Sequence, residues 1–388
     1  MVVESMEFFS FEQGPIRPPS EAKSLLLRVT RNCPWNKCAF CRTYKGERFS
    51  IRSVEEVKED IATIKKIYDE IKLLSWRIGC RGEVTGEVVE HLYRDPQGYS
   101  SRMNVAMWLC FGEGSVFLQD GNNLAAKTSD LVEILTILKQ TFPEVIRVTT
   151  YARSKTIAKR KSVEELKALR DAGLSRIHIG LESGCNAVLE LVQKGVTAAE
   201  HIEAGQKVKE AGISLSEYVI PGLGGKKLWQ EHAIETARVL NQINPDYIRL
   251  RTLRILDGTG LDEKVASGEF EPLSDEEIVQ EIQCMIEHLD GISSYVVSDH
   301  ILNLLEEVEG KLPEAKPKML AVIDRFLTLP PGERSNFRFG RRANVYHTLD
   351  DMNNPRLYQQ VDRALKQIMQ SPEEDLEEVI AELTKQYI

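Results

Sequence analysis

The chain lacks any long apolar run. No window approaches the roughly 20 apolar residues of a membrane span, and the longest such stretch, Val105–Phe111, is a third of that. The N-terminus carries Glu4, Glu7 and Glu12 where a secretory signal would be positive and then hydrophobic, so a cytoplasmic protein is expected. Net positive charge is absent too: the balance of −9 argues against a general polyanion binder, because phosphate binding needs concentrated Lys and Arg. Low-complexity tracts are missing, and so is disulfide-like pairing among an odd count of 7 cysteines, as in a reducing compartment. A Gly-Lys-Ser/Thr phosphate loop and a dinucleotide-binding glycine fingerprint are likewise absent. With 388 residues, 42% hydrophobic and 28% charged, the composition is that of a globular protein able to bury a large core.

What the chain does have is Cys33, Cys38 and Cys41 within nine residues, directly after the apolar run Leu25-Leu26-Leu27-Arg28-Val29. Clustered thiols on a loop after a strand suit zinc or an iron–sulfur cluster. Structural zinc takes four ligands, and the next candidates, Cys80 and His91, have no paired spacing. Three thiolates on a four-iron cube leave one iron open to a small molecule. The ligand count therefore favours iron and sulfur.

The triad, with Phe40 just before its last cysteine, resembles the signature of the radical S-adenosylmethionine superfamily. The flanking text is most similar to the enzymes grouped with oxygen-independent coproporphyrinogen oxidase and the methylthiotransferases, with no single activity indicated. The family's usual gaps are three residues and then two. Here the first gap is four, a departure that bears on the subfamily more than on the chemistry. The resemblance implies a [4Fe-4S] cluster on Cys33, Cys38 and Cys41, S-adenosylmethionine bound at the open iron, and a flavodoxin- or ferredoxin-type electron donor.

The rest of the chain alternates. Six strand–helix units over residues 23–290, with an insertion at about 75–113, predict a parallel sheet with crossover helices. Ser53…Glu56, Ser162…Glu165, Thr197…Glu200 and Ser274…Glu277 are capping boxes at helix starts, and Gly173 and Gly212 suit left-handed helix ends. Chemically loaded residues after almost every strand favour a partial (β/α)6 barrel, which the resemblance also implies. Residues 1–22 read as an extended arm. Residues 291–388 read as a mainly helical C-terminal extension, with helical stretches at 300–308, 317–327, 356–369 and 373–387 around a loop at Pro330, Pro331 and Gly332.

Three strand ends carry further candidates. Asp120, Asn122 and Asn123 form an ordinary polar turn by composition; the resemblance places them at the amino group of the methionine moiety, for which their oxygens suit. In Arg176-Ile-His-Ile-Gly-Leu-Glu-Ser-Gly184 the resemblance sets Glu182 and Ser183 at the ribose, with Lys194 facing the methionine carboxylate. The bland alternatives are a helix-capping carboxylate and a solvated lysine. In Tyr218-Val-Ile-Pro-Gly-Leu-Gly-Gly225 the resemblance sets Ile220, Pro221 and Gly222 against adenine; a tight turn without ligand is the alternative.

Cys185 reads as a small core residue or a hydrogen donor to a radical, and His178 as structural. Arg153 and Arg254 are candidates for an anionic substrate. Arg334, Arg338, Arg341 and Arg342, with Phe337 and Phe339, suggest a phosphate or nucleic-acid patch, with a solvated loop as the alternative. The sequence thus predicts an enzyme that cleaves S-adenosylmethionine reductively and takes hydrogen from an unnamed substrate. Two rivals stand beside it: an RNA-modifying or RNA-binding iron–sulfur protein using those arginines, and a non-catalytic electron carrier.

Overall fold

The computed structural model describes residues 9–94, 99–370 and 375–385. The expected turn at Asp95–Gly98 lies outside the described residues. The chain divides into two compact units, one of residues 1–36, 43–179 and 207–215, the other of residues 37–42, 180–206 and 216–388.

The first unit is built on parallel strands β1 (Leu25–Arg28), β2 (Ser115–Gln119), β3 (Arg147–Ala152) and β4 (Leu174–Glu182), the last running past the unit's edge at Ile179. Leu25 pairs with Val116, Ser115 with Arg147 and Thr150 with Ile177, all parallel, and the β3–β4 register shifts by one residue between Val148 and Thr149. Near-continuous apolar runs are what doubly covered parallel strands require, and every residue of β2 is buried. The helix Val54–Arg77 covers this sheet with Val57, Ile61, Ile64, Ile67 and Ile71, a stripe at three- and four-residue spacing. The segment after it folds as two helices, Gly86–Tyr93 and Tyr99–Phe111.

The described part of the N-terminal arm is tied down across this unit. Glu12 pairs with Arg28 and Arg31, Gly14 bonds both ways with the Gln119 amide, and Glu21 is buried against Ser24 and Arg147.

The second unit carries β5 (Ser214–Val219, from Ser216 on), β6 (Tyr247–Leu250), β7 (Tyr295–Val297) and β8 (Gly310–Lys311). β5 pairs parallel with β6 and β6 parallel with β7, while β8 closes the edge antiparallel. The capping boxes at Ser53, Ser162, Ser274 and Thr197 all form, and Gly173 and Gly212 end their helices at φ 121° and 75°.

The C-terminal stretch departs from its reading in three places. β7 and β8 are strands where the sequence suggested loss of the alternation. Residues 300–308 are not helical, because the Asn303 carboxamide bonds instead to the backbone around the end of β6: its Oδ1 accepts from Thr252 N–H at 3.0 Å and its Nδ2 donates to Leu250 O at 3.0 Å. The Pro331–Gly332 loop is the start of a helix, Pro331–Arg342, with proline in the first turn, where its missing N–H costs nothing. Helices Lys316–Leu327, Pro355–Gln370 and Leu376–Lys385 match their expected places. Among the described residues no helix is long and apolar enough to cross a membrane.

Candidate functional site

The cysteine loop begins in the first unit. Asn32 and Asn36 adopt left-handed φ of 70° and 50°, which bends the backbone on either side of Cys33. Gly121 sits against this bend: a Cβ there would stand 3.5 Å from Cys33 Cβ, so the glycine lets the turn after β2 approach the thiol.

That turn is itself fully engaged. Asp120 is buried and accepts from Arg28 Nε at 2.7 Å, Asn32 N–H at 3.1 Å and the Tyr44 hydroxyl at 3.0 Å. Burial, and then the Asp120 charge, push the Tyr44 hydroxyl pKa well above its ordinary value. Asn122 accepts from Arg153 N–H at 3.0 Å and donates to the Thr156 hydroxyl at 2.8 Å. Asn123 accepts from Thr30 and donates to Leu118 O. The three residues thus brace β1, β2 and β3 beside Cys33. Arg153 stacks its guanidinium 5.1 Å from the Trp35 ring centre.

The loop continues in the second unit, where Cys38 and Cys41 close a turn, Cys41 N–H to Cys38 O at 3.3 Å. Ala39 between them is pinned on both sides, its N–H to Val192 O at 2.8 Å and its carbonyl to Leu261 N–H at 2.9 Å. Phe40 and Ile220 both pack on one apolar cluster that contains Ala39, Cys185, Val188 and Leu223, so Cys185 is a core residue.

Glu182 ends β4 at φ 60°, and its carboxylate meets Lys194 Nζ at 2.7 Å; that ammonium also lies 5.8 Å from the Phe40 ring centre. The Glu182 carbonyl accepts from Ile220 N–H at 3.0 Å, joining the ends of the fourth and fifth strands. Six of the candidates, Phe40, Glu182, Ser183, Lys194, Ile220 and Gly222, therefore belong to one connected set. Pro221 adds its carbonyl, which accepts from Leu253 N–H at 2.8 Å.

Three residues of this set escaped the sequence reading. His232 lies fully buried on the helix Gly225–Ile243, with Nδ1 2.8 Å from the Ser183 hydroxyl and Nε2 3.0 Å from Ile220 O. Its place four residues from Thr236, on the stripe that continues to Leu240, was the available signal. Glu281 accepts from Gly222 N–H at 2.8 Å and stands 3.5 Å from His232 Nε2.

Burial lowers the His232 pKa to about 4 and raises that of Glu281 to about 8, so both are neutral near pH 6 to 7, the imidazole bonded to Ser183 and Ile220 and the carboxyl to Gly222. The third, Glu217 on β5, is fully buried with neither carboxylate oxygen bonded among the described residues. Burial first, and then the nearby Glu182 charge, hold its pKa far above the usual range.

The arginines proposed for a phosphate or nucleic-acid patch do not form one. Arg338, Arg341 and Arg342 are buried on the helix Pro331–Arg342 and pair with Asp275, Glu377 and Glu306 inside the second unit. Alternating Phe337 and Phe339 turned that helix inward, and acids on other elements met its charges. Arg334 donates to Leu327 O and Leu329 O, and Arg254 to Thr384 O at 2.6 Å. His178 packs against Tyr151 and lies 3.9 Å from Glu21.

None of the three loop cysteines is in a disulfide and each is of intermediate exposure, so as donors they are soft and reachable. Among the described residues no three His, Cys, Asp or Glu side chains converge as they would on a single metal ion. An iron–sulfur cube instead binds each cysteine through a different iron, and this donor set fits it.

The crystal structure of methylornithine synthase is similar to this chain at a TM-score of 0.43 and 15% identity, over 72% of this chain and 66% of that one. Coproporphyrinogen III oxidase from Escherichia coli gives 0.42 and 14%, over 69% and 52%. By sequence, the tRNA uridine(34) acetyltransferase of Methanocaldococcus infernus is 27% identical over 122 residues, which is 31% of this chain. The chain spans only 23% of that relative's length. The sequence pattern of the Radical SAM superfamily matches residues 27–237, more than half of the chain, from the end of β1 through the whole of the cysteine loop and strands β2 to β5. The chain belongs to the radical SAM superfamily.

Proposed function

We propose that the chain cleaves S-adenosylmethionine reductively and uses the 5′-deoxyadenosyl radical to take hydrogen from a substrate. The observation that supports this reading most is the loop of three closely spaced, partly exposed cysteines outside any disulfide, Cys33, Cys38 and Cys41, inside the matched family region. When bound, the cluster supplies one electron and an open iron for the methionine moiety.

The chain's own residues hold and shape the rest. Glu182 offers its carboxylate to ribose hydroxyls, with Lys194 positioning it at 2.7 Å. Ile220, Pro221 and Gly222 offer backbone and a flat apolar surface to adenine, and Phe40 shields the loop with its apolar ring. Asp120, Asn122 and Asn123 brace the Cys33 side beside the methionine amino group. His232 and Glu281 fix the carbonyl and N–H of the fifth-strand turn, so the nucleoside surface is set before ligand arrives.

Anaerobic reconstitution with iron and sulfide, reduction, and assay for 5′-deoxyadenosine test this. Release of 5′-deoxyadenosine that stops when the three cysteines are replaced by alanine is the expected result. A reconstituted, reduced chain that holds its iron and releases none would instead be an electron carrier.

A tRNA substrate is the second reading, favoured by similarity to the tRNA uridine(34) acetyltransferases. It requires a surface other than the buried arginines, and salt-dependent binding of unmodified tRNA would support it.

A further inference from the structure

The two faces of the β5–β6–β7 sheet differ in chemistry. Register pairs Ser216 with Tyr247, Tyr218 with Arg249 and Tyr247 with Tyr295, so these side chains share one face. The opposite face carries Val219, Ile248, Leu250 and Val296 beside the buried, uncompensated Glu217, all 0–1% exposed. One face is dry core. The other is aromatic and cationic, and it reaches solvent at Tyr295, which is 37% exposed.

Two guanidiniums on this face share one acid. Arg249 lies 3.3 Å and Arg251 2.8 Å from opposite oxygens of Asp299. Arg249 also donates to the Ser216 hydroxyl at 3.2 Å and lies 5.6 Å from the Tyr247 ring centre. Arg251 donates to Leu250 O at 3.0 Å and lies 5.2 Å from the Tyr218 ring centre. Nearby His300, its pKa lowered to about 4 by burial and then by the Arg251 charge, is neutral at physiological pH. The group therefore carries one positive charge more than negative.

The surplus has a direction. Arg251 Nη2 is buried and has no hydrogen-bond partner among the described residues. A desolvated guanidinium N–H left unbonded is costly, and the planar fork of arginine is suited to a carboxylate or phosphate. Asp299 cannot serve it further, being shared already between two arginines and 39% exposed to competing water.

We propose that this face of β5, β6 and β7 binds the anionic group, carboxylate or phosphate, of the enzyme's substrate, with Arg251 as the principal donor and the Tyr218 ring as its wall. Its place in the fold agrees with that role, since Arg251 directly follows β6, at the strand end where (β/α) folds carry their chemistry. The proposal rests on the functional reading above only in assigning the anion to the substrate.

The test is calorimetric titration of the full chain with pyrophosphate and, separately, with glutarate. Whichever binds identifies the anion as phosphate or carboxylate, and Arg251→Gln should weaken it at least tenfold. Asp299→Asn, which removes the competing acid, should tighten it several-fold; a purely structural ion pair predicts no such gain. Arg325→Gln on the surface serves as control. Failure of both anions to bind, unchanged affinity in Arg251→Gln, or weaker binding in Asp299→Asn would overturn the proposal. If Arg251→Gln does not fold, the Asp299→Asn result decides alone. Anion binding without any 5′-deoxyadenosine release would sink the functional reading and not this one; release without anion binding would do the reverse.

Discussion

Lys194 reaches back twelve residues to set its ammonium 2.7 Å from Glu182, and both side chains are only 12–13% exposed. Neither charge can be dropped singly without stranding the other in a largely dry site. Lys194→Ala should weaken S-adenosylmethionine binding by about 1–2 kcal/mol, since a partly buried carboxylate loses its partner. Equilibrium dialysis on reconstituted protein measures it; wild-type affinity in the variant would mean that Glu182 does not touch the ligand.

Single replacement of Cys33, Cys38 or Cys41 by alanine should abolish the cluster's visible absorbance and most of the bound iron. Cys284→Ser, away from the loop, should retain both. Iron content after anaerobic purification is the readout, and full retention in any loop variant would remove that cysteine from the ligand set.

Stability should depend on pH through Glu281. Its folded pKa, about 8, lies above the ordinary 4.5. The stabilisation is therefore complete below about 4.5 and drains away as pH rises towards 8, by up to about 1.4 kcal/mol per unit. His232 has the opposite sign: its folded value of about 4 lies below 6.5, so it costs stability as pH falls from 6.5. Denaturant midpoints measured from pH 5 to 9 should fall on the alkaline side in wild type, and Glu281→Gln should flatten that arm.

Asp275 is largely buried, its side chain 12% exposed; burial raises its pKa, yet Arg342 and Arg338 together hold it below the ordinary value. Asp275→Ala should cost about 3 kcal/mol or more, because two guanidiniums are left without their acid. Arg338→Ala and Arg342→Ala should likewise lower the melting temperature. A wild-type melt with lost RNA binding would restore the patch reading.

Strand and helix order was legible because parallel strands buried on both faces must be apolar throughout, and capping boxes and left-handed glycines mark where helices begin and end. The cysteine loop was legible by spacing alone. Asp120, Asn122 and Asn123 were found as a polar turn, but their bonds to Arg28, Arg153 and Thr30 come from residues up to 93 positions away, and no local pattern reports them. His232 and Glu281 were missed for the same reason: each looks like a polar helix residue until its partner, Ile220 O or Gly222 N–H, is set beside it. Arg338, Arg341 and Arg342 misled because sequence counts charges without showing which acids face them. The strand Tyr295–Val297 is three residues long, too short for its period to show.

The tail's brief strand is what keeps Tyr247–Leu250 from being a raw margin. Its own outer side is then blunted by a two-residue antiparallel partner, Gly310–Lys311. A truncated chain ending near residue 290 would bare a row of unsatisfied amides along the sixth strand and invite sticking between molecules. Anyone trimming this protein near residue 290 should expect inclusion bodies, and a shortened form that stays monomeric would mean the sixth strand finds another guard.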